Sequence, residues 1–112
     1  MKMIDEEGKV GILYSPGWGA GWSTWGAPDE AISDYKLVKM VVDRNSNTSG
    51  EEFDSRTMEI NKYVEEKWGE EVYVGGTEDL TVSWIPEGTK YRIDEHDGSE
   101  YLLTEEDLYL EA

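Results

Sequence analysis

At Gly69 the hydrophobic repeat of the chain changes period, and this restricts the fold more than any other feature. Before it, Phe53, Ile60, Tyr63, Val64 and Trp68 fall on one helical face, with acids and Lys62 on the other. Ser49 and Glu52 form an S-x-x-E capping box at the start of this helix, and Gly69 stops it. Beyond residue 70 the period is two. A short strand at 72–74 ends at Gly75-Gly76. Leu80, Val82 and Trp84 alternate with Thr81, Ser83 and Ile85 up to Pro86, which predicts a second strand. Residues 90–95 and 100–104 form two more around Asp97-Gly98, a strong hairpin signal. A two-residue turn there sets Ile93 opposite Leu102 and Glu95 opposite Glu100. Opposed like charges are destabilising, so a longer turn or a cation at the tip would relieve them, but splaying of both acids into water is the expectation. Thr104 can cap a last turn at 105–110, with Leu108, Tyr109 and Leu110 packing back.

The first half holds one strand at 9–14, KVGILY, stopped by Ser15-Pro16. Pro28 followed by Asp29 and Glu30 looks like a helix start, because proline suits the first turn and acids suit its positive end. That helix is expected to run to Arg44, with 45–50 as a polar linker. Helices adjacent in sequence and strands clustered later predict an α+β fold: one small domain over 1–112, an antiparallel sheet with two helices on one face.

Composition removes whole classes of function. The 112 residues hold 10 Lys+Arg against 26 Asp+Glu, a net charge of −16. Residues 51–112 carry five basic and 19 acidic residues, a net −14. Such a field repels nucleic-acid phosphates and anionic membranes and attracts basic protein surfaces. Acidity also serves solubility alone. No cysteine is present, so thiolate metal sites and thiol nucleophiles are excluded; the single histidine excludes multi-His metal sites. No apolar run approaches the roughly 20 residues that span a bilayer, and no basic-then-apolar leader opens the chain, so a cytoplasmic location is expected. Five Trp, seven Tyr and one Phe argue against disorder.

Between the first strand and the first helix lies GWGAGWSTWG, residues 17–26. So much glycine opposes a helix; the stretch reads as an ordered loop with a short extended piece at 22–25. Trp18, Trp22 and Trp25 then either plug one end of the core or line a pocket. In the second case Gly17, Gly19 and Gly21 present backbone N–H groups to an anion, and indoles stack on a planar ring. Ser23 and Thr24 add hydroxyls. Gly75 and Gly76 would form a second wall, or simply a tight turn, and Arg92 would receive the anion, or pair with a nearby acid. This is no standard phosphate loop, since neither GxGxxG nor GK[ST] occurs. The cluster Asp94, Glu95, His96, Asp97 and Glu100 departs from calcium-loop spacing and reads as a solvated hairpin tip. No nucleophile elbow is present, and His96 beside Asp97 at a turn tip lacks the closed cleft that acid–base catalysis needs. No catalytic residue, metal site or cofactor is assigned.

The segments SPGWGAGWSTWG (15–26), EEKWGEEVYVGG (65–76) and WIPEGTKYRIDEHDGSE (84–100) resemble those of a group of small acidic proteins encoded by phages and prophages. The group is of unassigned activity, so the resemblance implies a phage setting in a host bacterial cell and no particular mechanism. In that setting two non-enzymatic counter-defence or host-takeover roles are expected. One is sequestration of a small nucleotide-like signal by Gly17, Trp18, Gly19, Gly21, Trp22, Ser23, Thr24, Trp25, Gly75, Gly76 and Arg92, with a homo-oligomer interface as a natural place for such a pocket. The other is an acidic nucleic-acid mimic that occupies the basic groove of a host DNA- or RNA-handling defence protein. The charge of residues 51–112 favours the second, although Arg56, Lys62 and Lys67 interrupt the acids of the helix and weaken a phosphate-like stripe. Clustered Trp and Gly favour the first, although the chain's own charge repels an anionic ligand; sequestration is the expectation, with the mimic as its alternative.

Overall fold

A computed structural model describes residues 2–17 and 21–105. The order is β1 (Lys9–Tyr14), α1 (Tyr35–Asn47), α2 (Gly50–Trp68), β2 (Thr81–Pro86), β3 (Tyr91–His96) and β4 (Ser99–Thr104). Single 3₁₀ turns lie at Ser23–Trp25, Asp29–Ala31 and Thr77–Asp79. The α+β class is as expected. The strands form two antiparallel ribbons, β1–β2 and β3–β4, where the sequence predicted one sheet.

β1 is buried on both faces, which explains its unbroken apolar run. One face carries Gly11 and Leu13, paired with Trp84 and Val82 of β2. This face packs on α1 and α2 through Leu37, Val38, Val41, Ile60 and Val64, so the two helices lie on one side. A Cβ on Gly11 would stand 3.0 Å from Val38 Cγ1 and 3.1 Å from the Trp84 ring, so close helix–strand approach requires glycine there. The opposite face carries Val10, Ile12 and Ile85, and Ile93 and Leu102 of the second ribbon pack against it. The layers are therefore helices, β1–β2 and β3–β4.

Several boundaries differ from expectation. The Pro28 signal produces only the 3₁₀ turn Asp29–Ala31. Continuation is prevented because Ile32 O and Ser33 O accept from Leu13 N and Met3 N, tying this segment to β1 and to the residues before it. Asp34 then caps α1, its side chain accepting from Leu37 N at 3.0 Å. α1 continues through Asn47, so the linker shrinks to two residues. Ser49 occupies the N-cap position of α2, but its side chain makes no capping bond, so the capping box is not formed. Gly69 closes α2 with φ 102°, as expected. Residues 72–74 form a bend and irregular backbone between two turns, and no described strand pairs with them. The piece at 22–25 is the 3₁₀ turn and not an extended segment. The hairpin register is as predicted, with Ile93 opposite Leu102 and Glu95 opposite Glu100. Asp97 and Gly98 carry φ of 50° and 84°, the left-handed pair that a two-residue turn demands. The expected turn at 105–110 lies outside the described residues beyond Glu105. Among the described residues no helix is long and apolar enough to cross a membrane.

Candidate functional site

The loop after β1 does present a cluster of anion-directed donors, and Glu100 of this same chain fills it. Its carboxylate is 1% exposed. Oε1 accepts from Ser15 N (2.7 Å), Ser23 N (3.2 Å) and Ser23 Oγ (3.1 Å). Oε2 accepts from Trp22 N (3.0 Å), Thr24 N (2.6 Å) and Thr24 Oγ1 (2.6 Å). Burial works to raise the Glu100 pKa; the bonds from Thr24, Ser15 and Trp22 overcome it and hold the group below its ordinary value. The side chain is thus a fixed, charged acceptor. The expectation that it splays into water is corrected. Only Glu95 of the opposed pair stays exposed, and its Oε2 accepts from Gly98 N at 2.9 Å.

The predicted site residues separate into three groups. Trp18 and Gly19 lie outside the described residues. Trp22 is fully buried in the helix-side core with Leu13, Leu37 and Val64, so it plugs the core and lines no opening. The reading of Trp22 as a stacking surface for a guest is corrected on that ground. The remaining glycines have their Cα faces covered by side chains of this chain. A Cβ on Gly17 would collide with Asp79; one on Gly21 would stand 2.8 Å from Trp25 Nε1; one on Gly75 would collide with the Tyr73 phenol. Trp25 and Tyr73 then meet each other, with ring centroids 5.3 Å apart and tilted by 49°. The two glycine segments are therefore neighbours, as expected of two walls, but aromatic rings occupy the space between them. Gly76 is buried at the start of the turn Thr77–Asp79.

Ser23, Thr24 and Arg92 do come together. With Asp29, Ile32, Tyr91 and Ile93 they line an open depression of about 650 Å³ between the loop and β3. Arg92 Nη2 is 3.2 Å from Asp94 Oδ2. Asp29 contributes negative charge to the same depression, and burial together with Asp29 raises the Tyr91 pKa.

Sequence reasoning missed two buried polar clusters. Arg44 is fully buried and donates to Thr57 Oγ1 (3.0 Å), Thr77 O (2.7 Å), Leu80 O (3.2 Å) and Asn45 Oδ1 (3.1 Å), with the Phe53 ring centroid 4.5 Å away. It ties both helices to the chain entering β2. Asp34, besides capping α1, accepts from Tyr63 Oη and Lys67 Nζ, both at 2.7 Å. Burial pushes the Asp34 pKa up, and these partners bring it below its ordinary value; the bond to Asp34 pushes Lys67 up. Among the described residues no three His, Asp or Glu side chains converge to hold a metal ion.

A scan against protein-family models returns no match, and searches of curated proteins and of solved structures return none either.

Proposed function

We propose that this chain is a non-enzymatic binding protein of phage type that acts against host defence by charge, its acidic surface occupying the basic groove of a host DNA- or RNA-handling protein. One observation carries the reading: the run of exposed acids along α2 and the segment that follows it. Among the described acids only Asp34 and Glu100 are buried. Several of the described cations stand at the surface beside an acid of this same chain. Arg44 is buried, and Lys9, Arg56, Lys62, Lys67 and Arg92 each pair with an acid. Glu51, Glu52, Asp54, Glu59 and Glu66 of α2 are exposed, as are Glu70, Glu71, Glu78 and Asp79 beyond it. With 19 residues, α2 extends about 28 Å, the length of roughly eight base pairs of duplex.

Sequestration of a small nucleotide-like signal is the second reading. The depression bordered by Ser23, Thr24, Tyr91 and Arg92 supports it. The commitment of the loop donors to Glu100 weighs against it, as does Asp29, which would face an anionic guest.

The test is binding to a panel of purified host DNA- and RNA-handling proteins at rising salt. A complex formed by charge should weaken tenfold or more between about 50 and 200 mM salt. It should be displaced by duplex DNA, and it should be lost when Glu51, Glu52, Asp54 and Glu59 are changed to their amides. A complex indifferent to salt and to these changes overturns the reading. A nucleotide that quenches Trp25 emission would support the second reading instead.

A further inference from the structure

The β3–β4 ribbon leaves one strand edge open, and the backbone phase identifies which groups face outward. Hydrogen-bonding direction alternates along an antiparallel strand. Glu105 donates its N–H to Lys90 O at 3.1 Å, so residue 90 points toward β4, and Arg92, Asp94 and His96 follow it. Tyr91, Ile93 and Glu95 therefore aim their N–H and C=O groups away from β4. Glu100, paired with Glu95, shows the same phase from the other strand: its N–H points outward and bonds Ser15 O at 2.8 Å. The outer edge of β4 is thus met at Glu100 by the chain leaving β1. Among the described residues no backbone group bonds the outward N–H or C=O of Tyr91, Ile93 or Glu95.

This edge is complementary to itself. Lay a second copy antiparallel along it, centred on Ile93. Ile93 then faces Ile93 of the partner, and Tyr91 faces the partner's Glu95. Arg92 faces the partner's Asp94, and twofold symmetry repeats that pair of opposite charges. All three outward residues fall at hydrogen-bonded positions, giving about six backbone bonds. The neighbouring registers that keep the backbone phase centre on Arg92 or on Asp94 and oppose like charges on the axis, which is destabilising. Sequence and phase thus select one register. The open depression beside the edge, floored by Ile32 and Ile93, has room for the side chains of an added strand.

We propose that the outer edge of β3 is a self-association site, at which two copies join their ribbons into one four-stranded antiparallel sheet about a twofold axis through Ile93. An edge contact of this size is small, so the dimer forms reversibly.

Sedimentation equilibrium of the full chain from about 5 to about 500 µM should show a monomer–dimer equilibrium, given the modest area of an edge contact. Arg92→Asp and Asp94→Arg should each weaken association about tenfold or more by opposing like charges. The double change R92D/D94R should restore it. Circular dichroism checks that each variant folds. Hydrogen exchange of the unmodified protein gives a reading that needs no variant: the amides of Tyr91, Ile93 and Glu95 should gain protection with concentration, while those of Arg92 and Asp94, already bonded to β4, should not. A monomer throughout, an association unaffected by either single reversal, or protection that does not alternate along β3 would overturn the proposal.

Discussion

Replacing Glu100 with Gln keeps the shape of the side chain and removes its charge and half of its acceptor capacity. An amide has one oxygen and one NH₂ group. If the NH₂ takes the place of Oε1 it meets Ser15 N and Ser23 N; if it takes the place of Oε2 it meets Trp22 N and Thr24 N. The Ser23 and Thr24 hydroxyls can rotate to accept, but the backbone donors cannot. Two N–H groups thus lose their partner in either rotamer. At about 1–3 kcal/mol for each orphaned donor, the loss is about 2–6 kcal/mol. Thr24 lies at the surface, where water can reach it, so the lower half of that range applies if the amide turns its NH₂ toward Oε2's partners. A domain of this size has about 5–15 kcal/mol in total, so the variant should fold but denature at a urea concentration lower by about 1–2 M.

The same variant carries a pH signature. Because the folded-state pKa of Glu100 is depressed, the carboxylate's stabilisation is fully present above the unfolded value, about 4.3, and is lost as pH falls through the folded value. The stability gap between the unmodified protein and E100Q should therefore be level above about pH 5 and narrow below about pH 4. Taking the difference cancels the contributions of Asp34 and of the general acidity. Equilibrium unfolding followed by tryptophan emission at pH 7 and at pH 3 measures both quantities. A gap below about 1 kcal/mol at pH 7, or one that does not narrow in acid, would refute the assignment of Glu100 as the ion that orders the loop.

Two further substitutions probe the same architecture. Trp22→Ala should cost about 3–5 kcal/mol in urea unfolding because it empties a fully buried site, whereas Trp25→Ala, at a residue 41% exposed and resting on Tyr73, should cost less than about 1.5 kcal/mol; equal losses would contradict the division of the tryptophans into core and surface. Arg44→Met should cost about 1–3 kcal/mol by removing a charged donor shared by Thr57 Oγ1, Thr77 O and Leu80 O, of which Thr77 O keeps Leu80 N and Leu80 O keeps Asn45 Nδ2, and Arg44→Lys should recover little, since one ammonium cannot span the guanidinium's partners; a lysine variant as stable as the parent protein would show that the fork geometry is dispensable.

Which parts of the fold were legible follows from the range of the forces that decide them. The body of α2 was readable because its apolar face, its length and the Gly69 stop agree over 19 residues. The hairpin register was readable because Asp97-Gly98 admits a two-residue turn with both residues at positive φ. The start of α1 was misplaced because Pro28 and Asp29 are a true local signal that tertiary bonding overrides: Ile32 O and Ser33 O are claimed by Leu13 and Met3. Residues 72–74 have the composition of a strand, and no neighbouring strand reaches them to ladder it. Arg44 gave no local sign of burial. Its acceptors, Thr77 O and Leu80 O, lie more than 30 residues away in sequence. The candidate site was legible in its Ser23 and Thr24 hydroxyls, but its backbone donors are Ser15, Trp22, Ser23 and Thr24 where the glycines were expected, and its occupant was not legible. The Gly-Trp-Ser-Thr stretch was recognisable as an anion cradle, but its anion comes from a strand 76–85 residues further along the chain. One clue was available. With Glu95 and Glu100 opposed on one face of the hairpin, like-charge repulsion favours different environments for the two, and a cradle of N–H groups was one anion-favouring environment that the sequence offered.

That occupancy changes how the acidity and the Trp-Gly loop relate. Read separately, they pointed to different guests, a basic protein and an anionic ring. In the folded chain they are coupled, because the loop consumes one carboxylate in order to acquire its own shape. A loop ordered by an internal anion needs no external ligand to be rigid, and a ligand seeking the same donors would first have to displace a fixed charge that makes six hydrogen bonds. Such displacement would leave Glu100 buried and unpaired, at a cost that a weakly held nucleotide could not offset. The loop then serves as an anchor, joining the β3–β4 ribbon to β1 through Glu100 and through Ser99 Oγ, which donates to Pro16 O at 2.8 Å. With the ribbon held in this way, its outer strand keeps a fixed edge toward solvent while the exposed acids of α2 present a separate surface. Loss of the anchor should therefore disturb the β3 edge before it disturbs α2, whose packing on α1 does not involve Glu100.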